Sequence, residues 1–170
     1  YEETVNQMQK DITTYIVELS KRALSDSGSI MVPAMITSIN NIERIGDHAE
    51  DIVKLIEIKV EKKLVFSNEA IDELHELQNV VIKMYDNTIK VLKEKDIPLL
   101  IETLKLEDKA DDLCKEFSNA HVKRLENGTC SVESGIIFLN IITHFERIAD
   151  HIYKICLASK DELQGIPRNN

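Results

Sequence analysis

The chain has 170 residues, 43% of them hydrophobic and 30% charged, a balance that suits a globular domain and excludes a disordered one. Its formal net charge of −9 leaves no basic face to release counterions from a phosphate backbone, which excludes nucleic-acid binding. Five glycines and three prolines are too few for the turns of an all-β fold. Cys114, Cys130 and Cys156 form no Cys-x-x-Cys pair, which points to a reducing compartment and not to a disulfide framework.

Taken in chain order, the apolar residues recur at helical spacing almost throughout. Val5, Met8, Ile12, Ile16 and Leu19 make a first stripe, which Ser25 to Ser29 breaks with small polar residues and a glycine. A long helix is expected from about Ile30 to Lys63, with Pro33 tolerated in its first turn. Ser67 or Asn68 caps the next helix, whose stripe runs Ile71, Leu74, Leu77, Val81, Met84, Thr88 and Val91. Asp96 opens a fourth helix that stops at Asn127-Gly128, and Ser131 opens a fifth that ends between Leu163 and Pro167. Five long helices joined by short loops predict an all-α bundle. The longest apolar run, Ile136 to Ile142, is interrupted by Asn140 and is far below the ~20 residues of a membrane span.

The sequence also repeats itself. An offset of 103 positions pairs Glu43, Arg44, Ile45, Gly46, Asp47 and His48 with Glu146, Arg147, Ile148, Ala149, Asp150 and His151. Only the small residue differs, so the chain reads as a duplicated unit with two pseudo-equivalent sites. The boundaries that follow are 1–66 for repeat one and 67–170 for repeat two. Repeat two has three helices and repeat one only two. With no initiating Met before Tyr1, this predicts a further helix upstream and a fragment of a longer protein.

Residues four apart share a helix face. Glu43 therefore projects with Asp47, and Glu146 with Asp150. Exposed like charges at that spacing destabilise a helix by roughly 0.2–0.5 kcal/mol, and their duplication calls for a reason. Paired carboxylates suit a hard or borderline cation. Glu107 and Asp111 on the preceding helix can face Glu146 and Asp150, which makes four carboxylates for a multinuclear cluster. The plainer reading is a solvated acidic face neutralised by Arg44 and Arg147. His48 and His151 lie about a quarter turn away and are expected to pack beside the acids without ligating. Gly46 and Ala149 are expected to allow close helix approach, and Cys114 and Cys156 to lie in the core. Ferritin-like Glu-x-x-His pairs, a Walker loop, a dinucleotide fingerprint and a nucleophile elbow are missing from the sequence.

On the segments from Ile42 to Ile52 and from Phe145 to Ile152, the chain resembles the PhoU family. That resemblance implies two three-helix repeats in tandem, with the first helix of repeat one missing, and iron or zinc clusters at the Glu/Asp-x-x-x-Asp motifs. The residues carried over are Glu43, Asp47, Glu107, Asp111, Glu146 and Asp150. On the first helix the partner pair is reduced to Glu3 and Gln7, so the second site is expected to be better formed. Val32 to Thr37 departs from the family's usual Pro-x-Ala-Asp-Leu-Arg-like stretch and is closer to the PhoU-like tail of bacterial sodium/phosphate cotransporter-related proteins. The resemblance implies a non-enzymatic regulator of phosphate transport or phosphate signalling, cytoplasmic and tethered at the inner face of the membrane. Its partner would be a membrane phosphate transporter or its own upstream membrane domain. An apolar groove along helix one predicts homo-oligomers. The alternatives are a structural interaction module without metal and, behind it, a metal-dependent hydrolase.

Overall fold

Every described helix after the first starts where a side chain caps it. The computed structural model describes residues 2–21 and 24–164, in five helices with no strand among them. Helix α1 spans Glu2–Ser20, α2 Asp26–Glu61, α3 Asn68–Glu94, α4 Ile97–Glu126 and α5 Val132–Gln164. Ser25, Ser67 and Asp96 accept bonds from the backbone N–H groups of Gly28, Ala70 and Leu99, and Ser131 does the same for Ser134. These side chains satisfy donors that the first helical turn leaves orphaned.

One boundary differs from expectation. Helix α2 begins about one turn earlier than Ile30, because the Ser25 cap converts the small polar residues after it into a first turn. Pro33 consequently lies inside the helix. The expected stop as far as Pro167 lies outside the described residues beyond Gln164.

The α4 stop uses Gly128 at φ +67°, backbone that glycine enters without a Cβ penalty. Helix α3 ends on Lys95 at φ +56°, where a side chain is strained.

The core lies among α3, α4 and α5, with Leu77, Met84, Ala110, Phe117, Phe138, Ile141 and Ile152 fully or nearly buried. Phe66, in the α2–α3 connection, meets Phe138 edge-on at 6.0 Å between centroids. Arg124 of α4 donates twice to the Glu73 carboxylate of α3, at 2.7 Å and 2.7 Å, and its guanidinium stands 5.3 Å over the Phe138 ring. Among the described residues helix α1 packs on α2 only, and α2 in turn lies along α5 in the most extensive helix pair of the fold. Met8, Tyr15 and Val17 of α1 remain exposed. No helix among the described residues is long and apolar enough to cross a membrane.

Candidate functional site

The two signature helices, α2 and α5, meet antiparallel. Asn41 of α2 touches His151 of α5, and seven residues along each chain in opposite directions His48 touches His144. The offset of 103 exchanges these two contacts, so a pseudo-twofold axis crosses the pair near Arg44 and Arg147. The equivalence of the two signatures is therefore one of position in space as well as of sequence.

The six carboxylates lie beside this axis, all half-buried. In repeat two they come together. Glu107 on α4 is held above the usual carboxylate range, first by burial and then by the charges of Asp111, Asp108, Asp150 and Glu146. Asp111 and Glu146 line the same open cavity of about 380 Å³ between α4 and α5, with Cys114, Ser118 and Thr143. Burial, with Glu146 and Asp111 adding to it, pushes the Cys114 thiol up to about 12, so this sulfur is no thiolate nucleophile at neutral pH. Lys154 binds Asp150 at 2.6 Å, Arg147 lies 3.5 Å from Glu146 and Lys115 3.9 Å from Asp111, whereas among the described residues no ion pair is seen at Glu107. Oxygen donors gathered around an unneutralised carboxyl fit a hard or borderline cation. Their spread does not fit one compact ion site, because among the described residues no three of them converge within 4.8 Å.

In repeat one Glu43 and Asp47 share Arg44, whose nitrogens lie 3.5 Å from each. Their facing residues differ from those expected on α1. Glu3 and Gln7 are exposed, and Gln7 donates to Asp11 of its own helix at 2.8 Å. The half-buried pair is one residue earlier, Glu2 and Asn6, on the side of α1 where Val5 lies against Gly46. Asn6 donates to Glu2, and its buried Oδ1 has no hydrogen-bond partner. An amide thus stands where repeat two has the carboxylate of Asp111, leaving a weaker donor set for a cation.

Three further readings are refined by the geometry. Gly46 is not needed for close approach, since a Cβ there would only touch Val5 at 3.7 Å. Ala149, its counterpart, is buried. Cys156 lies in the core with its Sγ 3.1 Å from the Thr88 hydroxyl, while Cys114 is only half-buried. His48 and His151 do pack, against each other, with stacked rings 5.5 Å apart. His144, unremarked in the sequence, joins them at 5.2 Å from His48. Only the antiparallel pairing of α2 and α5 brings it there.

Comparison with known proteins gives a consistent result. The family profile described as the PhoU domain matches residues 1–56 and 74–158. A Thermotoga maritima protein named phosphate-specific transport system accessory protein PhoU homolog 1 is 28% identical over 117 residues, covering 69% of this chain and 50% of that protein. A Clostridium acetobutylicum protein named as a PhoU homolog of the same system is 25% identical over 160 residues, 91% of this chain and 70% of that protein. The chain thus spans from half to about two thirds of the length of these curated relatives. Among solved structures, the phosphate transport system regulatory protein PhoU from Streptococcus pneumoniae superposes with a TM-score of 0.86 at 21% identity, over 99% of this chain and 78% of that one. PhoU from Pseudomonas aeruginosa gives 0.89 at 20% identity, over 96% and 78%. At that identity the two structures speak to the fold.

Proposed function

The chain belongs to the PhoU family, and from that premise we propose that it is a regulatory domain of phosphate transport and not an enzyme. Its partner is a membrane phosphate transporter, or a membrane domain of its own polypeptide of the sodium/phosphate cotransporter-related kind. Either places it on the cytoplasmic face of the membrane. The names of the relatives, accessory and regulatory proteins of phosphate transport, support this reading. Cys114, whose thiol stays protonated at neutral pH, offers no nucleophile for the hydrolase alternative.

The observation that carries the site reading is the crowding of carboxylates in the α4–α5 groove around Glu107. A multinuclear iron or zinc cluster in that groove, not a single ion, would be held by Glu107, Asp111, Glu146 and Asp150, and would supply positive charge that ties α4 to α5. Glu43 and Asp47 form the poorer counterpart, with Asn6 in place of an acid. The division at residues 66 and 67 follows the same repeat. Self-association through the exposed side chains of α1, Met8 and Tyr15 foremost, completes the proposal. A monomeric sedimentation profile at high protein concentration would remove that part.

A second reading has its own support. Arg44, Arg147, Lys115 and Lys154 pair with five of the six acids, as in a metal-free interaction module. Elemental analysis of tag-free protein separates the two: iron or zinc retained through dialysis supports the groove, and metal-free protein supports the module. The regulatory role is tested by phosphate uptake in the host after the gene is deleted. Unchanged uptake across phosphate-replete and phosphate-starved cells overturns it.

A further inference from the structure

Away from the carboxylate grooves, His48, Asp51 and His144 are the one trio among the described residues whose ligand atoms all lie within 4.8 Å of one another. His48 and Asp51 are three apart on α2 and so share a face, while His144 reaches them from α5. The Nδ1 atoms of the two histidines are 3.1 Å apart, and Asp51 Oδ2 lies 3.9 Å from His144 Nδ1. Two imidazole nitrogens on one tetrahedral zinc, each at 2.0–2.1 Å, stand about 3.3 Å apart. The histidine pair is therefore at ligand spacing already, and the half-exposed Asp51 needs about half an ångström of closure on His144 and lies within 4.8 Å of His48. Its other oxygen is steadied by Lys54 at 3.6 Å. His48 is held in place by its stack on His151, which is itself anchored by Asn41 Oδ1 at 2.8 Å.

We propose that His48, Asp51 and His144 bind a single borderline divalent cation, zinc foremost, that clamps α2 to α5 across the pseudo-twofold axis. Two histidines and one carboxylate leave a fourth position open to water, the arrangement of an exchangeable ion and not of a closed structural one. Without an ion the 3.1 Å contact is an N–H···N hydrogen bond in which one ring donates and the other accepts. Binding moves that proton from Nδ1 to Nε2 of the same ring, with no change in the charge of the pair.

The fold contains its own control. At the pseudo-equivalent positions stand His151, Lys154 and Asn41, an ammonium and an amide in place of the carboxylate and the second imidazole. Lys154 is bound to Asp150 at 2.6 Å, and its charge repels a cation. The site is thus single per chain. The same comparison supplies a variant that should fold. His144→Asn installs the residue that the other half already uses against a histidine.

The test is calorimetric titration of the tag-free full chain with zinc chloride, after treatment with a chelator, in a parent carrying Asp111→Asn and Asp150→Asn. That background silences the carboxylate groove and keeps the two proposals separable. One zinc per chain is expected, weakened at least about tenfold by His144→Asn and by Asp51→Asn. Adding Asn41→His with Lys154→Asp should raise the stoichiometry to two. If the background binds no zinc below about 100 µM, or binds it equally with His144→Asn and Asp51→Asn, the site is overturned. Should His144→Asn fail to fold, Asp51→Asn and the two-site variant still decide the matter. Zinc binding lost with the groove carboxylates but unaffected by His144→Asn and Asp51→Asn counts for the groove and against this site.

Discussion

Replacing Gly135 by alanine tests the packing that holds α4 against α5, the two helices that carry the carboxylate groove. His121 of α4 is 2% exposed, and its ring lies 5.3 Å from that of Phe138. A Cβ built on Gly135 would stand 2.2 Å from His121 Nε2 and 2.6 Å from Cε1. Ordinary contact between such atoms begins near ~3.5 Å, so the ring or the helix would have to move by more than ~1 Å. Overpacking of this kind costs about 1–3 kcal/mol. Alanine in a helix interior returns up to ~1 kcal/mol relative to glycine. The severity of the overlap selects the upper part of the first range, which leaves a net loss of about 1–2 kcal/mol. For a domain of this size that corresponds to a fall in Tm of roughly 2–8 °C. Thermal and urea denaturation followed by far-UV circular dichroism would measure it. Adding His121→Ala removes the ring that clashes, so the effect of Gly135→Ala should vanish or reverse in that background. A Gly135→Ala variant as stable as its parent, with no coupling to His121, would show that the ring does not occupy the notch opposite Gly135.

Three further outcomes follow from the same side chains. Asp111→Asn with Asp150→Asn should remove most of the thermal stabilisation that added iron or zinc confers, yet leave the metal-free protein as stable as the parent or more so, because like charges around Glu107 are relieved. A double variant that melts well below the parent without metal would make these acids structural partners of Lys115 and Lys154. Burial holds His48, His121 and His151 below their ordinary value of 6.5, so the folded chain binds fewer protons there than the unfolded one. That stability is present above pH ~6.5 and lost as pH falls through the lower folded values, so the urea midpoint should drop between pH 7.5 and pH 5, and a constant or rising midpoint would contradict it. Glu73→Ala strands the Arg124 guanidinium, whose side chain is 15% exposed, and should destabilise the fold by about 3 kcal/mol in urea denaturation, whereas a change below ~1 kcal/mol would class the pair with surface ion pairs.

What the sequence determined by itself is whatever depends on neighbours within a turn or two. The five helices, the caps at Ser67, Asp96 and Ser131 and the stop at Gly128 all follow from local hydrogen-bonding and apolar spacing. The duplicated signature was visible because identity at a fixed offset needs no coordinates. Competing local signals meet at the start of α2: Gly28 and the serines around it favour a turn, but the Ser25 side chain captures Gly28 N–H and starts the helix there. Tertiary structure decided the azimuth of each helix and its register against its neighbour. Each residue turns the side chain by about 100° around the helix, so an error of one residue moves a pair off the interface, as between Glu3 with Gln7 and Glu2 with Asn6. The meeting of His48 with His144, 96 positions apart, and the seat of His121 opposite Gly135 depend on how two helices cross. Such contacts are set by the packing of both surfaces at once, and neither helix carries them in its own sequence.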